Sequence, residues 1–262
     1  MTPDSSYLLE VAEIVDETHD AKSVTFTVPD ELADRFAFAP GQFLTLAIPS
    51  ERTGLVPRCY SICTPPGEPL TVTVKRTEGG YASGWIHDHL AVGDTVRVLP
   101  PSGIFTPRDW SADLLLLAGG SGITPIMSIV RTALAEHSGR VVLLYANRDE
   151  RSVIFAGPLA ALAAEHPDRL LVVHWLESVQ GLPSQEQLRA FAASYDGWTS
   201  FCCGPAPFMT AVSQALRSLG VPRARRHQEK FVSLDGNPFG DVDEVRAARA
   251  TLDEADDPDD AA

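Results

Sequence analysis

The residue types best suited to chemistry cluster at Gly119-Gly120-Ser121-Gly122, between an apolar run and a helical pattern. The run, residues 114–118, has no polar alternation, so it predicts a strand buried on both faces. Thr124-Pro125 follows the turn and is typical of a helix start. A glycine turn before a helix offers an anion free backbone N–H groups and the positive end of the helix dipole. The turn therefore predicts either a dinucleotide pyrophosphate site or an ordinary tight turn, and it lacks the G-x-G-x-x-G spacing.

A second set of chemical groups, Arg58-Cys59-Tyr60-Ser61, closes a predicted strand. The arginine can fork onto a phosphate, the tyrosine ring gives a flat stacking face, and the serine adds a hydroxyl. Arg58 and Tyr60 are two residues apart and share one face of a strand, whereas Ser61 points to the other face. The set suits a flavin; the alternative is a surface arginine beside a half-buried tyrosine on an edge strand.

Two further loops extend this pattern. Gly79-Gly80-Tyr81-Ala82-Ser83 places two glycines ahead of a predicted helix, which predicts a second anion site or a hairpin turn with a helix cap. Cys203-Gly204-Pro205 follows a later strand. Ligands of open α/β sheets bind beyond the carboxyl ends of strands, so we expect this loop beside the Gly119 turn. No histidine is placed in the sequence to activate Cys203, so packing against a ligand is its expected role.

The strand and helix patterns divide the chain into two domains. Strands are predicted over residues 7–16, 23–28, 42–48, 55–63, 70–76 and 95–99, and a helix over residues 81–90. These short strands with turn signals between them predict a small antiparallel β-barrel. Later strands are predicted over residues 114–118, 141–146, 170–175, 200–203 and 227–232, with helices over residues 123–136, 155–165, 184–193 and 207–219. That alternation predicts a parallel sheet covered by helices on both faces.

Composition limits the kinds of partner. The 262 residues carry a formal net charge of −14, which argues against nucleic-acid binding. No apolar run approaches the roughly 20 residues of a membrane span, and the N-terminus lacks a signal-peptide pattern. The four cysteines are expected to be reduced thiols with no metal site, so we expect a cytoplasmic protein without membrane contact.

Domain boundaries follow from these patterns and from charge. Residues 241–262 hold nine acids and two arginines, a net charge of −7. We predict an N-terminal β-barrel domain over residues 1–108, a C-terminal α/β domain over residues 109–240, and an acidic disordered tail or linker over residues 241–262.

The four motifs, in this order, resemble those of ferredoxin–NADP reductase-type flavoproteins, and the resemblance covers residues 7–239. More narrowly, residues 145–149, 152–155, 174–177 and 233–239 look like the reductase components of bacterial oxygenases, of the phenylacetate and 3-ketosteroid hydroxylase type. The resemblance implies a barrel that binds FAD, an α/β domain that binds NADH or NADPH, and a ferredoxin or oxygenase iron–sulfur protein as electron acceptor. Many such reductases continue into an iron–sulfur domain with C-x4-C-x2-C spacing. Here no cysteine follows Cys203, which fits a stand-alone reductase or a sequence truncated at its linker.

The resemblance also implies roles on the flavin side. Arg58 would bind flavin phosphate, Tyr60 would stack on the isoalloxazine ring, and Ser61 would lie near flavin N5. The FAD pyrophosphate would be held by Gly80, Tyr81, Ala82 and Ser83. Further flavin contacts are expected from Cys59, Val74, Lys75 and Phe231.

On the nicotinamide side, Cys203 would lie near the reactive carbon of the ring. The nucleotide would be bound by Gly119, Gly120, Gly122, Thr124, Asn147, Arg148, Cys203, Gly204 and Pro205. Glu229 falls where the family places an acid beside the flavin, and a proton relay is expected from Ser61 and Glu229. The expected catalytic set is therefore Ser61, Cys203 and Glu229.

The choice of nucleotide stays open at this point. Arg148 follows the second parallel strand, where a 2′-phosphate would lie, and this favours NADPH. Asp149 and Glu150 put negative charge next to it and would repel a phosphate. The alternative is a surface arginine paired with these two acids.

Other functions fit the same motifs. The module could reduce a haem protein or free flavin, or it could be a non-catalytic electron-relay subunit, against which the intact loops at Gly119 and Cys203 argue. Ferredoxins are usually acidic, so such a partner would need a basic patch on this acidic chain. Candidates for that patch, which are otherwise a solvated loop, are Arg223, Arg225, Arg226 and Lys230. We expect a monomer.

Overall fold

The computed structural model describes residues 6–51, 53–231 and 238–239 of the chain. These residues form a six-stranded antiparallel sheet followed by a five-stranded parallel sheet, so the predicted fold class is confirmed. No helix within the described residues is both long and apolar enough to cross a membrane. The predicted acidic tail over residues 241–262 lies outside the described residues.

The antiparallel sheet closes into a barrel. Its strands are β1 (Tyr7–Thr18), β2 (Ala21–Thr27), β3 (Phe43–Ser50), β4 (Gly54–Ser61), β5 (Leu70–Lys75) and β6 (Thr95–Ser102). They pair in the order β4-β3-β6-β1-β2-β5, and a bridge between Ile62 and Val72 joins the end of β4 to β5. Closure removes the open edges of the sheet and buries an apolar core that includes Leu44 and Val98.

One helix, α1 (Tyr81–His89), packs on the barrel through Ala82 and Ile86. A 3-10 turn over Asp30–Arg35 was not predicted, and it buries no residue. Because its side chains are mostly charged and none is buried, the apolar periodicity that marks a packed helix is missing there.

The parallel sheet is covered on both sides, as the leucine run predicted. Its strands are β7 (Leu114–Gly119), β8 (Val141–Asn147), β9 (Leu170–Leu176), β10 (Thr199–Cys203) and β11 (Arg226–Glu229), in the order β11-β10-β7-β8-β9. The helices are α2 (Ile123–Glu136), α3 (Ala156–Glu165), α4 (Glu177–Gln180), α5 (Gln185–Ala192) and α6 (Ala206–Ser218). Leu114 and Leu116 pack in the core that holds α2 and α3, whereas Leu115 and Leu117 pack in the core that holds α5 and α6. Each such buried leucine contributes about 1.5–3 kcal/mol of burial free energy.

Helix α2 also joins the two domains. The Ser128 hydroxyl donates to the Thr64 carbonyl at 2.7 Å, and Arg131 pairs with Glu68 at 2.6 Å. On the same side the rings of Phe105 and Phe201 meet edge to face at 5.2 Å. These contacts hold α2 and β10 of the α/β domain against the barrel domain.

Candidate functional site

The predicted anion turn connects β7 to α2. Gly120 takes a positive φ of 51°, and a 3-10 turn over Gly120–Gly122 leads into the helix. A Cβ on Gly122 would lie 2.1 Å from the carbonyl oxygen of Cys203, so the turn and the Cys203-Gly204-Pro205 loop are packed backbone to backbone. No side chain caps the start of α2. The Ile123 N–H is already bonded to the carbonyls of Gly120 and Ser121, and Pro125 has no N–H, so the start of α2 offers an anion chiefly the positive end of the helix dipole.

Two side chains at this turn serve the protein itself. The Thr124 hydroxyl is buried and donates to the Ser121 carbonyl at 3.1 Å, so it holds the turn in place. Cys203 is fully buried, and burial raises the pKa of its thiol. It is therefore a neutral group packed in the hydrophobic core, and its contact with a ligand stays a prediction.

The predicted flavin groups of the barrel lie at the end of β4. The hydrogen bond of the Arg58 guanidinium is to the neighbouring Pro57 carbonyl, at 2.8 Å, and Arg58 forms no ion pair with any described residue. Tyr60 packs against the barrel core, and burial raises its pKa to about 12. Ser61 is a buried residue, and its hydroxyl makes no hydrogen bond within the described residues. An arginine without a carboxylate and a serine without a partner fit a ligand that brings phosphate and ring heteroatoms.

Helix α1 begins at the second predicted anion turn. Gly80 precedes its first turn, and no side chain caps it. The Ser83 hydroxyl accepts from the Thr77 N–H at 3.0 Å, so it closes the turn, while the Tyr81 hydroxyl donates to the Pro49 carbonyl at 2.7 Å. The backbone N–H groups of Tyr81, Ala82 and Ser83 are what this site offers an anion.

The end of β5 contributes one partly buried group, Lys75, and one fully buried group, Val74. Val74 lies in the barrel core, and its carbonyl is hydrogen-bonded to the His87 ring at 2.8 Å, so its side chain faces away from the cleft. The Lys75 ammonium reaches the nucleotide turn, because a Cβ on Gly120 would lie 4.0 Å from it. Lys75 thus links the barrel to the anion turn of the other domain.

At the end of β8 the structure separates the two predicted residues. Asn147 is buried, and neither polar atom of its amide has a hydrogen-bond partner in the described part of the chain. Arg148 instead forms an ion pair with Asp20 of the barrel at 2.6 Å, rather than with Asp149 or Glu150. Asp20 was not predicted, because the two partners are 128 residues apart in sequence.

Glu229 stands where the two halves meet. It is paired in register with Cys203 at the carboxyl end of β11. Burial raises the pKa of Cys203 and of Cys59 on the barrel, and the negative charge of Glu229 raises both further. Burial raises the pKa of Glu229 itself. Phe231, two residues further on, is about half exposed (48 %) and makes no ring contact with a described residue. These positions agree with an acid and an aromatic residue beside a ligand between the domains.

Taken together, the groups fit FAD and a nicotinamide nucleotide. Both helix starts lack side-chain caps, Arg58 lacks a carboxylate, and the buried Asn147 amide lacks partners among the described residues. Dinucleotides supply phosphate oxygens and hydroxyls that would satisfy such donors. The individual residue roles stay predictions.

Comparison with known proteins gives the same picture. Residues 8–106 match the oxidoreductase FAD-binding domain, and residues 116–214 match the oxidoreductase NAD-binding domain. The ferredoxin reductase component of 3-ketosteroid-9-alpha-monooxygenase from Rhodococcus rhodochrous is 57% identical over 238 residues, covering 90% of this chain and 68% of the relative. A component of the 1,2-phenylacetyl-CoA epoxidase of Escherichia coli K12 is 37% identical over 242 residues, covering 85% of this chain and 67% of the relative.

Solved structures show the same two-domain arrangement. Phthalate dioxygenase reductase is 27% identical with a TM-score of 0.73, and the match covers 91% of this chain and 72% of that protein. A cytochrome P450 reductase from Amycolatopsis is 30% identical with a TM-score of 0.73, covering 86% and 70%. The chain is thus an oxidoreductase that binds FAD and a nicotinamide nucleotide, and it belongs to the ferredoxin reductase-type flavoproteins, within the family of oxygenase reductase components.

Proposed function

We propose that the chain transfers a hydride from NADH or NADPH to FAD and passes the electrons singly to an iron–sulfur protein, either a ferredoxin or an oxygenase component. The observation that carries this proposal is that Glu229 of the α/β domain lies close enough to act electrostatically on Cys59 of the barrel and on Cys203 beside the glycine turn, while each domain has a helix start without a side-chain cap. Relatives named as a ferredoxin reductase component and as a reductase for electron transfer from pyridine nucleotides to [2Fe-2S] support it.

The barrel residues would hold the flavin. FAD, when bound, accepts two electrons as a hydride and releases them one at a time. Arg58 would pair with a phosphate, the N–H groups at the start of α1 would bind the pyrophosphate, and the Tyr60 ring would orient the flavin by stacking. Ser83 would support the pyrophosphate site indirectly, because its hydroxyl holds the turn that precedes α1.

The α/β residues would place the nicotinamide. The turn at Gly119–Gly122 would bind the nucleotide pyrophosphate, and the Cys203-Gly204-Pro205 loop would pack against the nicotinamide ring. Because Cys203 is a neutral buried thiol, its contribution would be to fill space and exclude water. The buried Asn147 amide would form its hydrogen bonds with polar atoms of the nucleotide.

Protons would be handled by Glu229 and Ser61. Burial raises the pKa of Glu229, so its carboxyl holds a proton at higher pH than an exposed glutamate does. The Ser61 hydroxyl has no partner within the described residues and is free to donate to, or accept from, a ring nitrogen. Both residues would stabilise charge that develops in the cleft.

The acceptor would dock on a basic surface. Arg217, Arg223, Arg226 and His227 line a cavity of about 330 Å³ beside β11. None of the three arginines forms an ion pair with a described residue, and the Arg226 Nε is buried without a partner there. On a chain of net charge −14, such a cluster favours an acidic partner. Strand β11 spans about 10 Å from Arg226 to Glu229 at the usual rise of a strand, so an acceptor docked at this cluster would lie about that far from Glu229.

The first test is an anaerobic absorption titration of the purified protein with NADH and then NADPH. We expect flavin bands that bleach on addition of one nucleotide, followed by rapid reoxidation by a plant-type [2Fe–2S] ferredoxin that slows as salt is raised. A protein that stays colourless after FAD is added would overturn the flavin assignment. A yellow protein that neither nucleotide bleaches would indicate a relay subunit, and faster reoxidation by cytochrome c or free flavin would indicate the other acceptors.

We also propose that the protein acts as a cytoplasmic monomer. All four cysteines are free thiols, which suits a reducing compartment. Both halves of the cleft come from one chain, so no second copy is needed to complete it.

A further inference from the structure

One ion cluster joins the barrel to the nucleotide side of the cleft. Asp20, in the turn between β1 and β2, places its Oδ2 atom 2.6 Å from Arg148 and 3.7 Å from Lys75. The Thr18 hydroxyl donates to the other carboxylate oxygen at 2.9 Å. The Asp20 side chain is only 14% exposed, whereas that of Arg148 is 60% exposed.

The cluster keeps Asp20 charged. Burial acts to raise its pKa, but the Thr18 hydrogen bond and the charges of Lys75 and Arg148 outweigh burial, so its pKa lies below the usual range. At neutral pH the cluster therefore holds one carboxylate between two cations. The carboxylate neutralises cations that would otherwise face the nucleotide site.

The two cations lie at different points along the expected nucleotide path. Lys75 adjoins Gly120, so it faces the position of the pyrophosphate, which NADH and NADPH share. Arg148 lies further out. Gly119 pairs with Ala146 in the sheet, and Arg148 is two residues beyond that pair, at the end of the adjacent strand. In doubly wound sheets the ribose of the adenosine is bound at the end of the adjacent strand, by an acid for NAD or near an arginine for NADP.

A second group beside Arg148, the carboxylate of Glu177, favours NADH over NADPH. Asn147 pairs with Leu176, so Glu177 stands next to Arg148 across β8 and β9, and the Ser178 N–H donates to the Arg148 carbonyl at 2.8 Å. Glu177 is exposed and forms no ion pair with a described residue. An exposed carboxylate here suits ribose hydroxyls and repels a phosphate.

From this geometry we propose that Asp20, a residue of the flavin domain, sets the preference for the hydride donor. By holding Arg148 it withdraws the cation that would bind the 2′-phosphate of NADPH, so the chain uses NADH. Because Arg148 is largely exposed, loss of the Asp20 charge leaves its guanidinium free to turn toward a phosphate. This inference rests on the proposed function and names its donor.

The test compares wild type with Asp20→Asn, which keeps the side-chain shape and removes its charge. Calorimetric titration of the FAD-loaded protein uses 5′-AMP and 2′,5′-ADP, which differ by the 2′-phosphate. We expect wild type to bind the two within about threefold, and Asp20→Asn to favour 2′,5′-ADP by about tenfold, or about 1.4 kcal/mol. The kcat/KM ratio of NADPH to NADH should rise by a similar factor.

Two matched variants separate specificity from domain docking. Glu68→Gln breaks the other ion pair between the domains, with Arg131, eight residues into α2 and so about 12 Å from its start. We expect it to leave the nucleotide ratio unchanged. Adding Arg148→Gln to Asp20→Asn should abolish the gain for 2′,5′-ADP.

Several results would overturn the inference. These are a wild type that prefers NADPH, an Asp20→Asn variant with the wild-type ratio, and an equal gain in Glu68→Gln. Failure of both nucleotides to reduce the flavin would instead overturn the proposed function, and the two titrants would still report whether Asp20 withholds Arg148 from a 2′-phosphate.

Discussion

The barrel domain and the α/β domain build their predicted ligand sites in different ways. In the barrel half, side chains are left without partners: Arg58 has no carboxylate, and the Ser61 hydroxyl has no hydrogen bond within the described residues. In the α/β half the buried Asn147 amide also lacks partners among the described residues, but the turn at Gly120–Gly122 is packed directly against the backbone of Cys203 and Gly204. Substitutions in the barrel half should therefore weaken binding with little loss of stability, whereas substitutions in the α/β half should reduce both.

The largest effect is expected for Gly122→Ala. Its Cβ would lie 2.1 Å from the Cys203 carbonyl oxygen and 2.6 Å from the Gly204 nitrogen, and these are backbone atoms that cannot rotate away. We expect the free energy of unfolding to fall by about 2–4 kcal/mol, with loss of flavin reduction by nucleotide. Urea unfolding and stopped-flow absorbance measure the two effects.

The matched control is Gly157→Ala, in α3 of the same domain, where a Cβ meets no atom within 4 Å. It should stabilise the protein by about 0.5–1 kcal/mol because alanine favours the helix. A Gly122→Ala variant with the wild-type urea midpoint would show that the two loops move apart easily, and the contrast between the halves would fail.

Arg58→Ala tests the opposite half. Loss of a charged hydrogen bond to phosphate costs about 1.5–3 kcal/mol, so we expect FAD to bind roughly 10- to 100-fold more weakly. The unfolding free energy of the flavin-free protein should change by less than about 0.5 kcal/mol, because Arg58 bonds only to its neighbour Pro57 among the described residues. Fluorescence titration with FAD measures the first effect and urea unfolding the second.

Arg97→Ala is the control for this prediction. Arg97 lies on β6, across β3 from Arg58, and its guanidinium bonds to the Ser6 hydroxyl. It should bind FAD as wild type does. Equal losses of FAD affinity in both variants would indicate a general effect of barrel charge, and Arg58 would lose its assigned role.

A smaller pair of effects concerns the hydroxyls at the two turns. Thr124→Val removes a buried donor to the Ser121 carbonyl, next to Pro125, which has no N–H to offer. Ser83→Ala removes the acceptor of the Thr77 N–H, which belongs to an exposed residue that water can reach. We expect losses of about 1–1.5 kcal/mol for Thr124→Val and about 0.5–1 kcal/mol for Ser83→Ala in thermal unfolding. Thr124→Ser should restore stability, and the reverse order of the two losses would contradict the contrast.

These hydroxyls show where prediction from the sequence ends. The Ser83 hydroxyl was predicted to donate to an anion after its glycine turn, and the family resemblance implied that Thr124 binds the nucleotide. Serine and threonine also reach nearby backbone groups, and the local sequence does not reveal which partner is chosen. In the structure both hydroxyls bond to backbone groups of their own turns, and their contacts with a ligand stay predictions.

The fold itself was far easier to predict. The leucine run at β7 and the repeated strand–helix pattern are local signals, and they fixed the parallel sheet. Asp20 carries no such signal, because its meaning depends on Arg148, 128 residues away. The short helix α4 was missed as well, since four residues give no periodicity. Interactions between domains are thus the part that local patterns leave undetermined.

The smallest effect is expected where the halves meet, at Glu229. Burial raises its pKa, so the folded state favours the protonated carboxyl. This preference stabilises the protein fully below the unfolded pKa of about 4.3 and is lost as pH rises through the folded value. Glu229→Gln should therefore be more stable than wild type at pH 8, by less than about 1 kcal/mol because the group is partly exposed, and equal to it near pH 4.

Thermal unfolding at the two pH values measures this difference, with Glu13→Gln, an exposed position on β1, as the control. A gain at pH 8 that disappears at pH 4 would show that the surroundings of Glu229 disfavour a carboxylate, as the apolar part of a site for a flat ring should. A gain that persists at pH 4 would have to come from packing of the amide. Glu229 would then be a structural residue of β11, and the cleft between the halves would owe its chemistry to the two turns alone.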